Sequence, residues 1–343
     1  MHFTGKKSYK LSYCTLKKNN KSIVLDRIFR TSGYFLRLVR WPNLLMIIVI
    51  QIALYYVLIE RVYNSIGLTG AMGVLDLSIL VLTTVFIAAA GYIINDYYDI
   101  DTDTINKPDK QLIGLKITPR TGIISYYTLN VLAILGGFYL AIKADSWRIG
   151  LLSAMVIILL WLYSTKYKRT VLVGNFAVAF MAAMSIIVIW LFEFFMLRKQ
   201  PSDFVSVSPY LKMITWYFTG YSVFSFLLTL CREVIKDAED IQGDGQSGMN
   251  TLAVRHGIKA SKLVASIIAV IAIILGIAAS ISFLNNNMSL VGIYFMIAVV
   301  APLMYMVFKI LSAKEKSDFH TISLIAKVIM IAGILALQPI AMS

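Results

Sequence analysis

The chain has 343 residues, of which 59% are hydrophobic and only 15% are charged, and its formal net charge is +14. Soluble domains usually carry about 25% charged residues, so this composition argues against a soluble globular protein. The apolar residues form blocks of about 20, the length at which a helix crosses a ~30 Å hydrocarbon core. We therefore expect an all-α integral membrane protein.

The chain begins with a basic segment, residues 1–40, which contains ten Lys/Arg residues and one acid, Asp26. Because this segment directly precedes the first apolar block, it is predicted to be a cytoplasmic tail that faces anionic lipid. No nucleic-acid partner is expected, although a basic arm is the alternative interpretation. The predicted organisation is a tail at 1–40 and a nine-helix domain at 41–343.

Nine membrane helices are predicted around a central cavity. They cover residues 42–60, 76–96, 122–142, 147–165, 171–197, 209–231, 261–283, 289–311 and 320–341. The alternating ~10-residue segments that are typical of a membrane β-barrel are not seen in the sequence.

The basic residues predict the orientation of these helices. Of the 32 Lys/Arg residues, 25 fall in the tail and in the segments after spans 2, 4, 6 and 8, and one, Lys327, falls within the last span. The positive-inside rule places the basic segments in the cytoplasm. We therefore expect a multi-pass protein of the cell (inner) membrane with a cytoplasmic N-terminus and an external C-terminus.

Two acidic motifs lie at the predicted cytoplasmic ends of spans 2 and 6. Both have a 3-then-4 spacing: Asp96, Asp99 and Asp103 in the first, and Asp237, Asp240 and Asp244 in the second. Such offsets share one face of a helix, so each motif is expected to present three carboxylates in one direction. The alternative for either motif alone is a solvated acidic helix end, but the matched spacing and position argue against it.

Mutual repulsion makes such carboxylate clusters costly unless a divalent cation is bound. Oxygen ligands without Cys or His favour Mg²⁺ over zinc. We predict that Asn95 and the six aspartates bind Mg²⁺, with Asp96, Asp99 and Asp240 catalytic. Since the motifs are four spans apart, spans 1–4 and 5–8 are candidate structural repeats. The loops after spans 2 and 6 are expected to cap the cavity.

Several basic residues near the motifs are candidates for binding phosphate, although each alone is also explained as a topology signal. They are Lys107, Lys110, Lys168, Arg169, Arg232 and Lys236.

These residues resemble the UbiA superfamily of intramembrane prenyltransferases. The signature NDxxDxxxD is matched by Asn95, Asp96, Asp99 and Asp103, and DxxxD by Asp240 and Asp244. Tyr163-Ser164, Lys168-Arg169 and Gly174-Asn175 look like the family's YSxxxKR…GN stretch, and Arg40 and Asn43 look like its RxxN start. The resemblance implies a catalytic role for Lys168 and substrate-binding roles for Arg40, Asn43, Asn95, Tyr163 and Asn175.

Residues 232–240, with the sequence REVIKDAED, are similar to the archaeal-type branch exemplified by digeranylgeranylglyceryl phosphate synthase. That branch usually has INRPxRP after its first motif, whereas residues 105–111 are INKPDKQ, so lysines replace arginines and lose bidentate phosphate geometry. The resemblance implies Mg²⁺-dependent transfer of a polyprenyl group, expected to be geranylgeranyl, from an isoprenyl diphosphate donor to a lipid-soluble acceptor within the bilayer. A prenylglyceryl phosphate is the favoured acceptor.

Three alternatives stay open at this point. One is an aromatic prenyltransferase of quinone synthesis that acts on 4-hydroxybenzoate or a naphthoate. The second is a membrane transporter, which is disfavoured because the acids lie at one membrane face. The third is intramembrane diphosphate hydrolysis, with water as the acceptor. In the expected mechanism, Lys168, Arg232 and Lys236 neutralise the leaving diphosphate, and aromatic faces such as Tyr97, Tyr98 or Tyr163 shield the allylic cation from water.

Overall fold

The computed structural model describes residues 32–106, 109 and 111–342. Most of the basic tail, together with Lys107 and Lys110, lies outside these described residues. Within them, nine helices are long and apolar enough to cross a membrane. They are α1 (Trp41–Ser65), α2 (Val74–Tyr98), α3 (Pro119–Lys143), α4 (Trp147–Thr165), α5 (Val173–Leu197), α6 (Leu211–Glu239), α7 (Leu252–Asn285), α8 (Ser289–Ser312) and α9 (Lys316–Leu335). The prediction of an all-α membrane protein with nine spans is confirmed.

Several of these helices begin at capping residues. The Thr118 side chain accepts a hydrogen bond from the Thr121 N–H at the start of α3, and Glu315 and Asp318 form a capping box at the start of α9. Because helices begin and end at such polar residues, they can extend beyond the apolar segments from which the spans were predicted. The clearest case is α6, which continues to Glu239 although its predicted span ended at residue 231.

The helices pack into a closed ring. Helix α2 packs against α1, α3 and α4, and α5 joins this group to α6. Helix α6 packs against α7 and α9, and α9 returns to contact α1. Large apolar side chains on the outer surface, such as Phe138 and Ile297, are more than 60% exposed, as expected for lipid-facing positions.

Short helices follow α2 and α6 at the same end of the bundle. We call Ile100–Asn106 the first motif helix and Ile241–Gln246 the second motif helix, and the two contact each other. The predicted cap loops therefore begin as helices in the described residues. Beyond the first motif helix, the Gln111 side chain donates hydrogen bonds to the carbonyls of Ile100 and Ile113, both at 3.2 Å.

The starts of α1 and α5 support an internal repeat. Arg40 precedes α1 with a left-handed backbone (φ 53°, ψ 54°), and Leu172 precedes α5 with φ 60° and ψ −22°. Each lies three residues before an asparagine of the helix that follows, Asn43 or Asn175. A positive φ is uncommon for residues other than glycine, so its recurrence in matching places points to equivalent entries into the two halves.

Candidate functional site

Both acidic motifs are interrupted at their central aspartate. Helix α2 ends at Tyr98, and Asp99 has φ −97° and ψ 5°; helix α6 ends at Glu239, and Asp240 has φ −97° and ψ 9°. The helical N–H···O=C pattern nevertheless continues through each break, with Asp103 N–H to Asp99 O at 2.8 Å and Asp244 N–H to Asp240 O at 3.1 Å. The prediction that each motif presents three carboxylates in one direction stays a prediction, and the departure from helical geometry is confined to the central aspartate of each motif.

The first motif is held by side chains from two other parts of the chain. Arg40 Nη2 forms an ion pair of 2.8 Å with Asp96 Oδ1, and its guanidinium lies 4.7 Å from the ring centroid of Tyr92. Asn95 Nδ2 donates a 2.8 Å hydrogen bond to Asp99 Oδ2, and Lys168 Nζ forms an ion pair with the same oxygen. Asp99 is 4% exposed, so this charge is nearly removed from water.

The second motif is held in a similar way. Asn175 Nδ2 on α5 donates a 2.9 Å hydrogen bond to Asp237 Oδ2 on α6. Arg232 Nη1 donates to Glu233 Oε1 at 2.6 Å. Burial, reinforced by the charge of Asp240, raises the pKa of Asp244 to about 6. The raised pKa means that ionising Asp244 costs free energy, and a cation bound beside its carboxylate would offset that cost.

The two motifs meet at one end of the bundle, where the first and second motif helices contact each other. Asp244 lies within electrostatic range of both Lys168 and Asp99, which belong to the first half of the chain. A backbone hydrogen bond of 3.1 Å from Asn250 N–H to the Arg169 carbonyl ties the segment after α6 to the segment after α4. The sequence prediction that two distant acidic motifs form one site is thus consistent with the arrangement of the described residues.

The donor set of this site suits a hard divalent cation. Asn95 Oδ1 is buried and accepts no hydrogen bond from any described residue, so it is an oxygen atom available to a ligand. In the described part of the chain, no three Asp, Glu, His or Cys side chains converge as a complete metal site. Mg²⁺ typically takes one or two carboxylates and completes its shell with water and phosphate, so partial protein ligation fits this ion.

A cavity of about 1110 Å³ extends from this site into the bundle. Polar and charged residues line it near the motifs, including Arg40, Asn95, Tyr163, Arg232, Glu233 and Lys236. The remaining lining is mainly apolar, contributed by residues such as Leu80, Met184, Phe224 and Phe283. The cavity therefore joins an anion-binding end to a hydrophobic interior, which is the shape needed for an amphiphile with a charged head.

The predicted site residues fall into three groups: those that line the cavity, those that bind a motif aspartate without lining it, and Arg169, which does neither. Arg40, Asn43, Asn95, Tyr163, Arg232 and Lys236 line the cavity, and Lys168 and Asn175 bind motif aspartates. The Arg169 side chain is exposed and does not line the cavity. Among the aromatic candidates, Tyr163 lines the cavity, whereas Tyr97 and Tyr98 do not, and Tyr98 is 41% exposed.

Tyr92, Glu233 and Lys327 are among the cavity-wall residues that sequence reasoning missed. Glu233 had a detectable signal, since it lies four and seven residues before Asp237 and Asp240 and therefore shares their helix face. Lys327 had another signal, a lone charge within an apolar span. Tyr92 had none, because its contact with Arg40 depends on how α1 packs against α2.

The family comparison decides what kind of protein has this site. The model of the UbiA prenyltransferase family matches residues 65–328, which is most of the chain. The chain belongs to the UbiA prenyltransferase family. It is therefore a prenyltransferase, and the transporter alternative is not supported.

Relatives named digeranylgeranylglyceryl phosphate synthase are similar to this UbiA-family chain. The protein of Sulfolobus acidocaldarius is 31% identical over 62% of the chain and 73% of its own length. The protein of Thermococcus kodakarensis is 27% identical over 81% of the chain and 90% of its own length. The match to the protein of Hyperthermus butylicus, at 30% identity, spans about half of that relative, 54% of its length, and 52% of the chain.

Solved structures share the fold of this UbiA-family chain. A UbiA homologue from Aeropyrum pernix has a TM-score of 0.59 and 15% identity, covering 84% of this chain and 97% of its own. A homologue from Archaeoglobus fulgidus, bound to GPP and Mg²⁺, has a TM-score of 0.54 and 13% identity, covering 89% and 99%. At these identities the similarity extends to the fold, and the site chemistry has to be argued from this chain's own residues.

Proposed function

We propose that this protein catalyses Mg²⁺-dependent transfer of a polyprenyl group, of geranylgeranyl size, from its diphosphate to a prenylglyceryl phosphate. The observation that carries this proposal is the meeting of two acidic motifs and Lys168 beside the charged end of a largely apolar cavity, whose wall includes Asn95 and Lys236. The names of the relatives from S. acidocaldarius and T. kodakarensis support the same acceptor. The Mg²⁺-bound homologue of A. fulgidus supports the same cofactor.

The proposed ligands of Mg²⁺ are Asn95 and the aspartates of both motifs: Asp96, Asp99, Asp103, Asp237, Asp240 and Asp244. When bound, Mg²⁺ supplies positive charge that stabilises the departing diphosphate. Lys168 and Lys236 add cationic charge to the same end of the cavity, Lys168 through its contact with Asp99 and Lys236 from the cavity wall. These positive charges are already in position before the C–O bond breaks, so the site does not have to reorganise as negative charge develops on the leaving diphosphate.

The cavity protects the reacting carbon. The apolar interior excludes water from the allylic cation, so that the acceptor rather than water captures it. Tyr163 lines the cavity beside Arg40 and Asn95, where its ring face can stabilise positive charge. The acceptor hydroxyl adds to the allylic carbon, its proton passes to solvent or to a nearby carboxylate, and diphosphate leaves at the acidic end.

We also propose that the acidic end faces the cytoplasm. The distribution of Lys and Arg residues supports this orientation, with a cytoplasmic N-terminal tail at 1–40 and an external end of α9. The membrane is then the cell (inner) membrane, and the catalytic domain covers 41–343.

An acceptor panel tests the proposed function. Purified protein in liposomes receives labelled geranylgeranyl diphosphate, Mg²⁺ and one of three acceptors: geranylgeranylglyceryl phosphate, 4-hydroxybenzoate or dihydroxynaphthoate. The proposal predicts a prenylated lipid phosphate as the main product. A prenylated aromatic acid as the main product would replace this proposal with the quinone-pathway alternative.

A further inference from the structure

Lys327 is a charged residue inside a membrane helix. It lies 11 residues after the start of α9, roughly 16 Å along the helix axis at 1.5 Å per residue. Its side chain lines the central cavity rather than the lipid-facing surface. Ionisable residues at such depth are costly and usually mark a path or binding site for a polar ligand.

The surroundings of Lys327 do not by themselves balance its charge. The groups within electrostatic range are Arg232, Arg40 and Glu233. Two of these three are positive, and the carboxylate of Glu233 already accepts a 2.6 Å hydrogen bond from Arg232. Lys327 itself makes no hydrogen bond or ion pair with the described residues.

Arg232 offers a second donor toward the same region. Its Nε is buried and has no hydrogen-bond partner among the residues that the structure describes, while its Nη1 is held by Glu233. A buried N–H without a partner costs about 1–3 kcal/mol. An anionic ligand with several oxygens would accept hydrogen bonds from both Arg232 and Lys327, and phosphate has that chemistry.

This cationic pair differs from the cations that contact the acidic motifs directly. Lys168 contacts Asp99 and Arg40 pairs with Asp96, whereas the ion-pair partner of Arg232 is Glu233. If the donor diphosphate lies at the motifs, its allylic carbon extends into the cavity, whose wall includes Lys327. The acceptor has to approach that carbon from the cavity side, because diphosphate leaves on the other side.

We propose that Lys327 and Arg232 bind the phosphate group of the lipid acceptor and thereby select a phosphorylated acceptor over a neutral one. The proposal rests on the proposed function, since it names the part of the site that recognises that acceptor. It reassigns Arg232, which the sequence placed with the donor, to the acceptor side.

The test measures binding and turnover separately. Equilibrium binding of labelled geranylgeranylglyceryl phosphate, without donor, is measured for the unmodified protein and for Lys327→Met and Lys327→Arg. Lys309→Met is the matched control, because Lys309 lies on α8 against the Tyr305 ring and does not line the cavity. Steady-state KM values for donor and acceptor are then measured, with geranylgeranylglycerol as the acceptor that lacks phosphate.

We expect Lys327→Met to weaken binding of the phosphorylated lipid and to raise its KM by about 10- to 100-fold, the effect of losing one charged hydrogen bond. The KM for donor and the activity with geranylgeranylglycerol should change by less than about twofold, and Lys327→Arg should restore most of the binding. Lys309→Met should behave like the unmodified protein.

The outcomes separate the two proposals. Unchanged binding of geranylgeranylglyceryl phosphate by Lys327→Met would overturn the Lys327 assignment even if turnover supports the proposed function. Lys327-dependent binding without turnover would support the phosphate site and contradict the proposed reaction. If the unmodified protein does not bind geranylgeranylglyceryl phosphate, both the phosphate site and the proposed reaction are overturned.

Discussion

Asp99 and Asp240 have almost the same backbone conformation, with φ −97° at both and ψ differing by only 4°, 5° against 9°. They are 141 positions apart in the sequence, yet each ends a membrane helix and precedes a short helix, and the two short helices contact each other. The asparagines Asn43 and Asn175 lie in matching places of α1 and α5. Together these positions indicate that spans 1–4 and 5–8 are structural repeats with equivalent acidic bends.

Replacement of either central aspartate should abolish turnover. Asp99→Ala and Asp240→Ala each remove a carboxylate that is less than 10% exposed from the predicted Mg²⁺ site. We expect kcat/KM to fall by at least about 100-fold, as for the loss of one preorganised electrostatic contact. The matched control is Asp101→Ala, since Asp101 lies in the first motif helix, is exposed and is not one of the three motif aspartates. Equal activity of Asp99→Ala and Asp101→Ala would refute the role of the bend.

Lys168 should contribute to catalysis through its positive charge. Lys168→Met retains the apolar stem but removes the cation that contacts Asp99. We expect the single-turnover rate constant to fall by about 100- to 1,000-fold. Lys166→Met, a change at an exposed lysine of the same segment, should have little effect. The measurement is single-turnover product formation with saturating donor, and equal rates for the two variants would contradict the assignment.

Sequence patterns were sufficient to predict the membrane spans and to locate both acidic motifs, but not to predict the geometry of the motifs. Hydropathy finds the part of a helix within the hydrocarbon and misses its polar extension, which is why α6 continues eight residues past its prediction. The bends at Asp99 and Asp240 had no local signal, since neither motif contains Pro or Gly before the break. The contact of Lys168 with Asp99 joins parts of the chain 69 residues apart, so it depends on the packing of α2 against α4.

The depth of the cavity should set the prenyl chain length. Gly220 lines the cavity, and a side chain added there would meet open space, with no atom within 4 Å of its Cβ. Gly220→Phe should fill that space and shift preference from geranylgeranyl to shorter diphosphates, measured as the ratio of kcat/KM values for the donors. Leu135→Phe, at a 60% exposed position on α3, is the control. An unchanged donor ratio in Gly220→Phe would mean that the tail lies elsewhere.

Glu193 should matter for stability rather than for catalysis. It is fully buried on α5, and its carboxylate accepts backbone hydrogen bonds from Ala71 at 2.7 Å and Met72 at 3.0 Å. Glu193→Ala leaves both N–H groups without an acceptor, which should cost about 3 kcal/mol, and Glu193→Gln should cost less because one amide oxygen remains. Thermal unfolding in detergent measures both losses. An unchanged thermal unfolding midpoint for Glu193→Ala would show that water or another group accepts the hydrogen bonds of the Ala71 and Met72 N–H groups.

The most direct test of the account is metal-dependent turnover by the unmodified protein in liposomes. Protein stripped with EDTA receives labelled geranylgeranyl diphosphate and geranylgeranylglyceryl phosphate, and Mg²⁺ is then added in steps, with Asp99→Ala and Asp240→Ala measured in parallel. We predict no product before Mg²⁺ is added, saturable product formation afterwards, and no recovery of either variant at high Mg²⁺. Product formation in EDTA, or Mg²⁺-dependent turnover by either variant at the unmodified rate, would contradict the proposal that the two acidic bends form one magnesium-dependent site.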